Sequence, residues 1–147
     1  TLVAGGKERY DSVKNALNEV RTPWVGVHDA VRPFVSQETI ERLCEHIKNH
    51  AAVIPVAGLK ESLRKRTSTG TEAVDRSQYV NVQTPQCFHV PLLKRAYELP
   101  FNETVTDDAS LVERLGEEIY TVVGNDENIK ITTPLDLVLA THLIQTQ

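Results

Sequence analysis

The sequence predicts an α/β protein with a mostly parallel sheet, helices on both faces and a projecting β-arm. Short apolar runs alternate with segments whose apolar residues recur at the helical period, which is the pattern of strand–helix–strand units. A basic segment at 58–83 interrupts that alternation and has no helical period of its own. The chain has 147 residues, 40% of them apolar, which suffices for one domain built around one core.

The first part of the chain contains three strand-like runs and two helices. The runs are 1–3, 24–28 and 51–56. Asp11 or Ser12 is predicted to cap the first helix, and Ser36 is predicted to open the second. The second helix carries apolar residues at i, i+3, i+4 and i+7, which form one face: Ile40, Leu43, Cys44 and Ile47.

The segment 58–83 is predicted to form the β-arm. It begins with a basic stretch, Leu59–Arg66, continues through a turn cluster, Thr67–Thr71, and ends in extended residues up to Gln83. Basic residues on such an arm usually form a solvated edge that resists pairing with other strands. The alternative is phosphate binding, because a guanidinium group matches the geometry of paired phosphate oxygens.

The second half of the chain resumes the α/β alternation. Pro91 suits the first position of a helix that runs to about Glu98. Thr106 is predicted to begin the next helix, because acidic residues follow it in the first turn, and Gly116 to end it. The remaining elements are a strand at 119–123, an extended piece at 129–131 and a helix from Thr133 to about Ile144.

Composition argues against several classes of protein. The 16 Lys and Arg residues and 20 Asp and Glu residues give a net charge of −4, so no nucleic-acid partner is expected. No run of about 18 apolar residues predicts a membrane span, and no signal peptide is recognisable, which leaves the cytoplasm as the expected location. The sequence contains no Met and opens like the end of a strand, so we expect an N-terminal portion to be missing.

Three short segments carry residue types suited to chemistry. Gly5–Arg9 lies between a strand and a helix, where backbone amides can bind an anion or simply form a turn. His28–Pro33 follows an apolar strand, the end of a sheet at which ligands bind in α/β proteins. Its Asp29 and Arg32 can hold a hydroxyl group or metal and a phosphate, or can form a surface pair that caps the loop. Lys130 has the pattern of a solvated edge residue.

Six motifs follow one another along the chain. They are Gly-Gly-x-x-Arg-x-Asp-Ser-Val (Gly5–Val13), Val-His-Asp-Ala-x-Arg-Pro (Val27–Pro33), Val-Asp-Arg (Val74–Arg76), Gln-Thr-Pro-Gln-x-Phe (Gln83–Phe88), Thr-Asp-Asp-Ala-Ser (Thr106–Ser110) and Asn-Ile-Lys-Ile-Thr-x-Pro-x-Asp-Leu (Asn128–Leu137). Over nearly the whole chain, their order resembles the 2-C-methyl-D-erythritol 4-phosphate cytidylyltransferase family of isoprenoid precursor synthesis.

The resemblance implies a single Rossmann-like nucleotidyltransferase domain over 1–147, incomplete at its N-terminus, with the β-arm at about 58–83. It implies a homodimer whose arms interlock. It also implies the transfer of a cytidylyl group from CTP to a sugar-alcohol phosphate, 2-C-methyl-D-erythritol 4-phosphate, with release of pyrophosphate and with Mg²⁺ as cofactor.

The resemblance also assigns roles to ten residues of this sequence. Arg76 and Lys130 would be catalytic and would orient the attacking phosphate. Asp29 would face the reaction centre and is also the candidate metal ligand. The substrate-binding residues would be Gly6 and Ser12 at the cytosine, Asp29 and Ala30 at the ribose, Arg32, Ser62 and Thr84 at the acceptor phosphate, and Thr106. Ser62 and Arg76 would reach across from the arm of the partner.

Two other functions share parts of this pattern. Ribitol 5-phosphate cytidylyltransferase has similar Asp-x-x-Arg-Pro and Thr-Pro-Gln motifs, but Thr106–Ser110 favours the methylerythritol enzyme. A non-catalytic dimeric binding module of the same fold is the other alternative. The family begins with a glycine-rich phosphate loop that this sequence does not contain, so we expect the chain as given to be inactive.

Overall fold

A computed structural model of the chain describes residues 1–100 and 105–146. Five helices are described: α1 Arg9–Leu17, α2 Gln37–His46, α3 Val90–Ala96, α4 Asp108–Glu113 and α5 Pro134–Thr146. Seven strands are described: β1 Trp24–Val27, β2 Ala52–Gly58, β3 Arg64–Thr67, β4 Gly70–Ala73, β5 Val80–Val82, β6 Gln86–His89 and β7 Tyr120–Val123. A 3₁₀ turn, Arg76–Gln78, precedes β5.

The main sheet is mixed and is centred on β2. Strand β7 pairs with β2 in parallel along one edge, while β5 and β6 lie end to end and antiparallel along the other edge. Strand β1 pairs antiparallel with β6, so β1, β2 and β7 run in the same direction. The α/β class is confirmed, but the expectation of mostly parallel pairing is wrong for the described strands. After the hairpin the chain returns along β2 as β5 and β6 without a crossover helix, which places the antiparallel strand β6 between β1 and β2.

Helices cover both faces of this sheet, as the sequence predicts. Helices α1, α3 and α4 pack on one face around Phe88, which is fully buried. Helix α2 packs on the other face through Leu43, against Val53 of β2. Burying a side chain the size of Phe88 contributes about 1.5–3 kcal/mol, so the layers are held chiefly by these apolar contacts. No helix in 1–100 and 105–146 is long and apolar enough to cross a membrane.

The predicted arm is a two-stranded hairpin that spans fewer residues than the predicted range 58–83. Strands β3 and β4 pair only with each other in the described sheets, from Arg64 opposite Ala73 to Thr67 opposite Gly70, and all of their residues are exposed. Strand β5 belongs to the main sheet instead, because it pairs with the end of β2. The range 58–83 therefore combines a hairpin with a strand of the central sheet.

Helix caps confirm some predicted boundaries and correct others. Ser36 caps α2, and its hydroxyl oxygen accepts a hydrogen bond from Thr39 N at 3.2 Å. Helix α1 begins earlier than predicted, because Glu8 is its N-cap and Asp11 is the third helical residue, whose carboxylate accepts from Glu8 N. The cap of α4 is Asp107 rather than Thr106.

Two predicted extended pieces are not strands in the structure. Residues 1–3 and 129–131 have no regular secondary structure. The latter segment is nevertheless fixed, because Ile131 N donates to Val31 O at 2.9 Å. The predicted ends of α4 and α5 fit better. Gly116 follows α4 with φ of 80°, a conformation that favours glycine, and the Thr133 hydroxyl accepts from Asp136 N at the start of α5.

Candidate active site

The loop after β1 is held in one conformation by a chain of hydrogen bonds. Asp29 N donates to Thr84 Oγ1 at 3.1 Å, and Thr84 Oγ1 lies 2.9 Å from His28 Nδ1. His28 Nε2 lies 2.9 Å from the carbonyl oxygen of Arg32, which can only accept. His28 Nε2 therefore donates to this oxygen, and the two contacts together fix the orientation of the imidazole ring. This loop, with both Asp29 and Arg32, is fixed at the C-terminal end of β1.

Asp29 is surrounded by three cations from three parts of the chain. Its carboxylate lies 3.3 Å from Lys130 Nζ, 3.6 Å from Arg9 Nε and 3.6 Å from Arg32 Nε. The Asp29 side chain is only 16% exposed. Burial acts to raise its pKa, but the hydrogen bond and charge of Lys130 and the charges of the two arginines outweigh burial and lower the pKa. Asp29 is therefore ionised at neutral pH.

Arg9 is itself fixed by a buried acid. Its Nη2 donates to Asp108 Oδ2 at 2.7 Å, and Asp108 is fully buried at the start of α4. The Tyr97 hydroxyl donates to the other oxygen of Asp108. Burial acts to lower the pKa of Arg9, but the hydrogen bond to Asp108 and its charge outweigh this and raise the pKa. Burial, with the charge of Asp108, raises the pKa of Tyr97.

The side chain of Gln86 attaches the start of α4 to the sheet. Gln86 is fully buried at the start of β6, and its Nε2 donates to Asp107 Oδ2 at 2.7 Å. Its Oε1 accepts from Ala109 N at 3.1 Å. Asp107 also caps the helix through Ser110 N. These bonds fix the exposed residue Thr106 at the rim of the cavity beside Asp29.

The segment after β7, which carries Lys130, is held by hydrogen bonds to Gln83 and Arg32. Gln83 bonds to the backbone of Asn125 twice, since its Nε2 donates to Asn125 O at 2.8 Å and its Oε1 accepts from Asn125 N at 3.3 Å. Further along, Arg32 Nη1 donates to Asn128 O at 2.8 Å. Lys130 is therefore brought to Asp29 by a fixed backbone, although its side chain is 47% exposed.

These residues line a cavity of about 240 Å³. Five of the predicted site residues are among its walls: Asp29, Arg32, Thr84, Thr106 and Lys130. Arg32 also lines a neighbouring cavity of about 330 Å³, together with Lys60 and Asn128. The cavity beside Asp29 holds an excess of positive charge and is suited to a phosphorylated ligand.

The other predicted residues lie outside this cavity. Gly6 N donates to Ser12 Oγ at 2.9 Å at the start of α1, and a Cβ at Gly6 would lie 2.1 Å from Asp11 Cβ, so only glycine fits there. Ala30 is exposed beside Asp29, and Ser62 is exposed at the base of the hairpin.

Arg76 is exposed as well and lies with the arm rather than with Lys130. Its Nη1 donates to Lys60 O at 2.6 Å. The structure of one chain therefore does not bring the two predicted catalytic residues, Arg76 and Lys130, to the same cavity.

Sequence reasoning did not select the residues that hold the site together. Arg9 and Asp108 both lie within the motifs that carry the resemblance, and this was the available signal for them. Gln83 and Gln86 also lie within one of these motifs, on either side of Thr-Pro, but nothing in their local sequence marks them as buried. Their roles depend on contacts with residues more than 20 positions away.

The donor set fits a divalent metal only in part. Asp29 offers a hard oxygen ligand, but three cations already surround it. The other carboxylate of the cavity, Asp107, is engaged by Gln86 and Ser110. No group of three or more potential metal ligands occurs in 1–100 and 105–146. Mg²⁺ is suited to such a site when phosphate oxygens of a substrate complete its ligands.

Solved structures share this fold. The 2-C-methyl-D-erythritol 4-phosphate cytidylyltransferase of Thermus thermophilus superposes with a TM-score of 0.85 and 36% identity over 96% of this chain and 71% of that one. The 4-diphosphocytidyl-2C-methyl-D-erythritol synthase of Anaerococcus prevotii gives 0.87 and 30% over 96% of this chain and 66% of that one. The chain thus has the α/β Rossmann-like nucleotidyltransferase fold that the resemblance implies.

Sequence relatives identify the family within that class. The 2-C-methyl-D-erythritol 4-phosphate cytidylyltransferase of Bacteroides thetaiotaomicron is 52% identical over 97% of this chain and 66% of that protein. The corresponding protein of Porphyromonas gingivalis is 48% identical over 97% of this chain and 65% of that protein. The model of the 2-C-methyl-D-erythritol 4-phosphate cytidylyltransferase family matches residues 1–146. The chain belongs to the 2-C-methyl-D-erythritol 4-phosphate cytidylyltransferase family, and it spans about two thirds of the length of these relatives.

Proposed function

We propose that the full-length protein carrying this chain transfers the cytidylyl group of CTP to 2-C-methyl-D-erythritol 4-phosphate. The products are the cytidine diphosphate derivative of methylerythritol and pyrophosphate. The observation that carries the proposal is the cation-lined cavity around Asp29, together with membership of the family. The cytoplasmic location expected from the sequence is part of the same proposal.

The cations address the main physical obstacle of this reaction. A phosphate oxygen of the acceptor attacks the α-phosphorus of CTP, and both substrates are anions. Two like unit charges repel by about 4 kcal/mol at about 4 Å when the effective dielectric constant is about 20. Lys130, Arg32 and Thr84 line one cavity. The two cations would offset the repulsion between the substrates, and all three side chains would orient the acceptor phosphate. The attacking oxygen is already ionised, so no general base is needed.

The start of α1 is the proposed site of the nucleotide base. Gly6 is exposed before α1, and Ser12 lies half-buried in the first turn of that helix. Their backbone groups and the Ser12 hydroxyl suit hydrogen bonding to the edge of cytosine. Asp29 and Ala30, on the loop after β1, would then face the ribose. This arrangement would place the α-phosphorus near Lys130.

We propose Mg²⁺ as the cofactor, held by Asp29 together with the phosphates of CTP. When bound, the ion would supply positive charge to the phosphate oxygens. The three cations around Asp29 oppose the binding of a free divalent ion there, so the metal is expected to enter with the nucleotide. Thr106, at the rim of the cavity, would contact the acceptor substrate.

We also propose a homodimer in which the arm of each protomer completes the site of the other. Arg76 and Ser62 are exposed on the arm side of the chain, and Arg76 does not line the cavity of its own protomer. A cation that contacts the acceptor phosphate from a partner arm would account for both observations.

Turnover by single variants of the full-length protein tests the site. Lys130→Ala and Arg76→Ala are each expected to lower turnover at least ~10-fold, a loss of about 1.4 kcal/mol of transition-state stabilisation. Lys48→Ala is the matched control, because Lys48 is exposed in the turn after α2 and the variant is expected to behave like wild type. Wild-type rates in both site variants would refute the assignment. Faster turnover with ribitol 5-phosphate than with the methylerythritol substrate would refute the proposed acceptor.

Mixed dimers test the arm. When the Arg76→Ala and Lys130→Ala proteins are mixed and allowed to exchange subunits, about a quarter of the sites regain both residues if each site takes Arg76 from its partner. Activity should therefore recover to about a quarter of the wild-type level. If each chain uses its own Arg76, no site is intact and no activity returns.

A further inference from the structure

Asn128 joins three segments of the chain behind the candidate active site. Asn128 lies in the segment that joins β7 to α5. Its side chain is fully buried, and its Nδ2 donates to Thr84 O at 2.9 Å. Its backbone oxygen accepts from Arg32 Nη1 at 2.8 Å, and its backbone N–H donates to Asn125 O at 3.1 Å. One residue thus connects the loop after β1, the turn before β6 and the segment that carries Lys130.

Each group that Asn128 holds has a direct relation to Asp29. Thr84 accepts from Asp29 N through its hydroxyl oxygen, and Arg32 faces the Asp29 carboxylate. Lys130, two residues further along the chain, is the nearest of the three cations to that carboxylate. Of the cations around Asp29, only Arg9 is positioned without Asn128.

The amide of Asn128 is an unfavourable choice if stability alone is considered. Its Oδ1 is buried and has no hydrogen-bond donor among the residues that the structure describes. A buried acceptor without a donor destabilises the folded state, and an apolar side chain of similar volume avoids that penalty. The Nδ2 bond to Thr84 O is therefore the feature that distinguishes Asn from such a residue.

We propose that Asn128 is a positioning residue for cytidylyl transfer, which sets Lys130, Arg32 and Thr84 in the relative geometry that the acceptor phosphate requires. The inference rests on the function proposed above. Asn128 touches neither substrate, and it acts by fixing the backbone to which these groups belong. A displacement of about 1 Å in such groups lowers turnover by as much as about 100-fold.

Steady-state kinetics of three variants of the full-length protein test this role. Asn128→Asp keeps the shape but replaces the donor, Asn128→Ala removes the side-chain contact, and Asn128→Ser keeps a shorter donor. The control is Asn49→Ala, at an exposed turn after α2. We expect kcat to fall about 10-fold or more for Asp and Ala, with a smaller loss for Ser. The KM for the acceptor should rise, and the KM for CTP should change less than about twofold.

Thermal unfolding of the same proteins separates positioning from stability. The rise in the KM for the acceptor, with little change in the KM for CTP, is expected at a temperature at which every variant is folded. If kcat falls only in proportion to the loss of folded protein, and the KM values for both substrates stay unchanged, the inference is overturned. Wild-type kinetics, or failure of all three variants to fold, would overturn it as well. If the wild-type protein itself does not transfer a cytidylyl group, the proposed function falls first, and this inference falls with it.

Discussion

Replacement of Asp108 by Asn is expected to destabilise the protein by about 2 kcal/mol. Asp108 is fully buried, and its carboxylate joins Arg9 to the Tyr97 hydroxyl. A hydrogen bond between charged groups contributes about 1.5–3 kcal/mol. The lower part of that range applies, because the Arg9 side chain is 42% exposed and water replaces part of the lost interaction. The amide of Asn also turns a donor towards Arg9 if its oxygen still accepts from Tyr97.

Urea unfolding of the full-length protein, followed by far-ultraviolet circular dichroism, measures this loss. In thermal unfolding of the same proteins, a loss of about 2 kcal/mol corresponds to a decrease in Tm of about 4–8 °C for a chain of about 150–250 residues. Asp126→Asn is the matched control, since Asp126 also makes a short ion pair, 2.9 Å from Lys60, but both side chains are more than half exposed. Its urea midpoint should equal that of wild type. Equal effects of the two substitutions would refute the argument that burial makes the Asp108 pair important.

Three other outcomes are expected. Folding lowers the pKa of Asp29, so its carboxylate should stabilise the folded protein relative to Asp29→Asn. This stabilisation should be complete above about pH 5 and should be lost as the pH falls below about 4. Free energies of unfolding of both proteins across this pH range measure it. Mg²⁺ titrated calorimetrically without nucleotide should give no heat assignable to Asp29, whereas a complex with CTP should bind; strong binding of the free ion would contradict the proposed metal site. Replacing Arg64–Ala73 by a short glycine linker should give monomers in light scattering, and persistent dimers would exclude the interlocked arm.

The sequence was sufficient for those parts of the site that depend on local pattern. An apolar run followed by His28–Pro33 predicts a strand with functional residues at its C-terminal end, and β1 and the loop carrying Asp29 and Arg32 are found there. Ser36 could be identified as a helix cap, because its hydroxyl needs only a backbone N–H three residues away. Both predictions use contacts between near neighbours in the chain.

Predictions failed where distant contacts decide the structure. Strand β5 has the same extended pattern as the arm, and only its pairing with β2 places it in the main sheet. Acids at the start of a helix indicate capping, which holds for Asp107, but Asp108 beside it is buried against Arg9, 99 positions away. Lys130 looked like a solvated edge residue on local grounds, and its distance of 3.3 Å to Asp29 depends on the path of the whole segment after β7.

The charge balance around Asp29 explains why a carboxylate suits the site that we propose for two anionic substrates. Three cations lie within 4 Å of the Asp29 carboxylate, and they would repel one another if no anion lay between them. Asp29 orients Lys130 and Arg32 before any substrate arrives, while Asp108 pairs with Arg9, so two carboxylates face three cations. The remaining positive charge is available to phosphate oxygens without rearrangement, and an environment arranged in advance is what stabilises charge in a transition state. A neutral residue at position 29 would remove the carboxylate that orients Lys130 and one of the contacts that orient Arg32, so Asp29→Asn should lower turnover more than the loss of one charged contact alone implies.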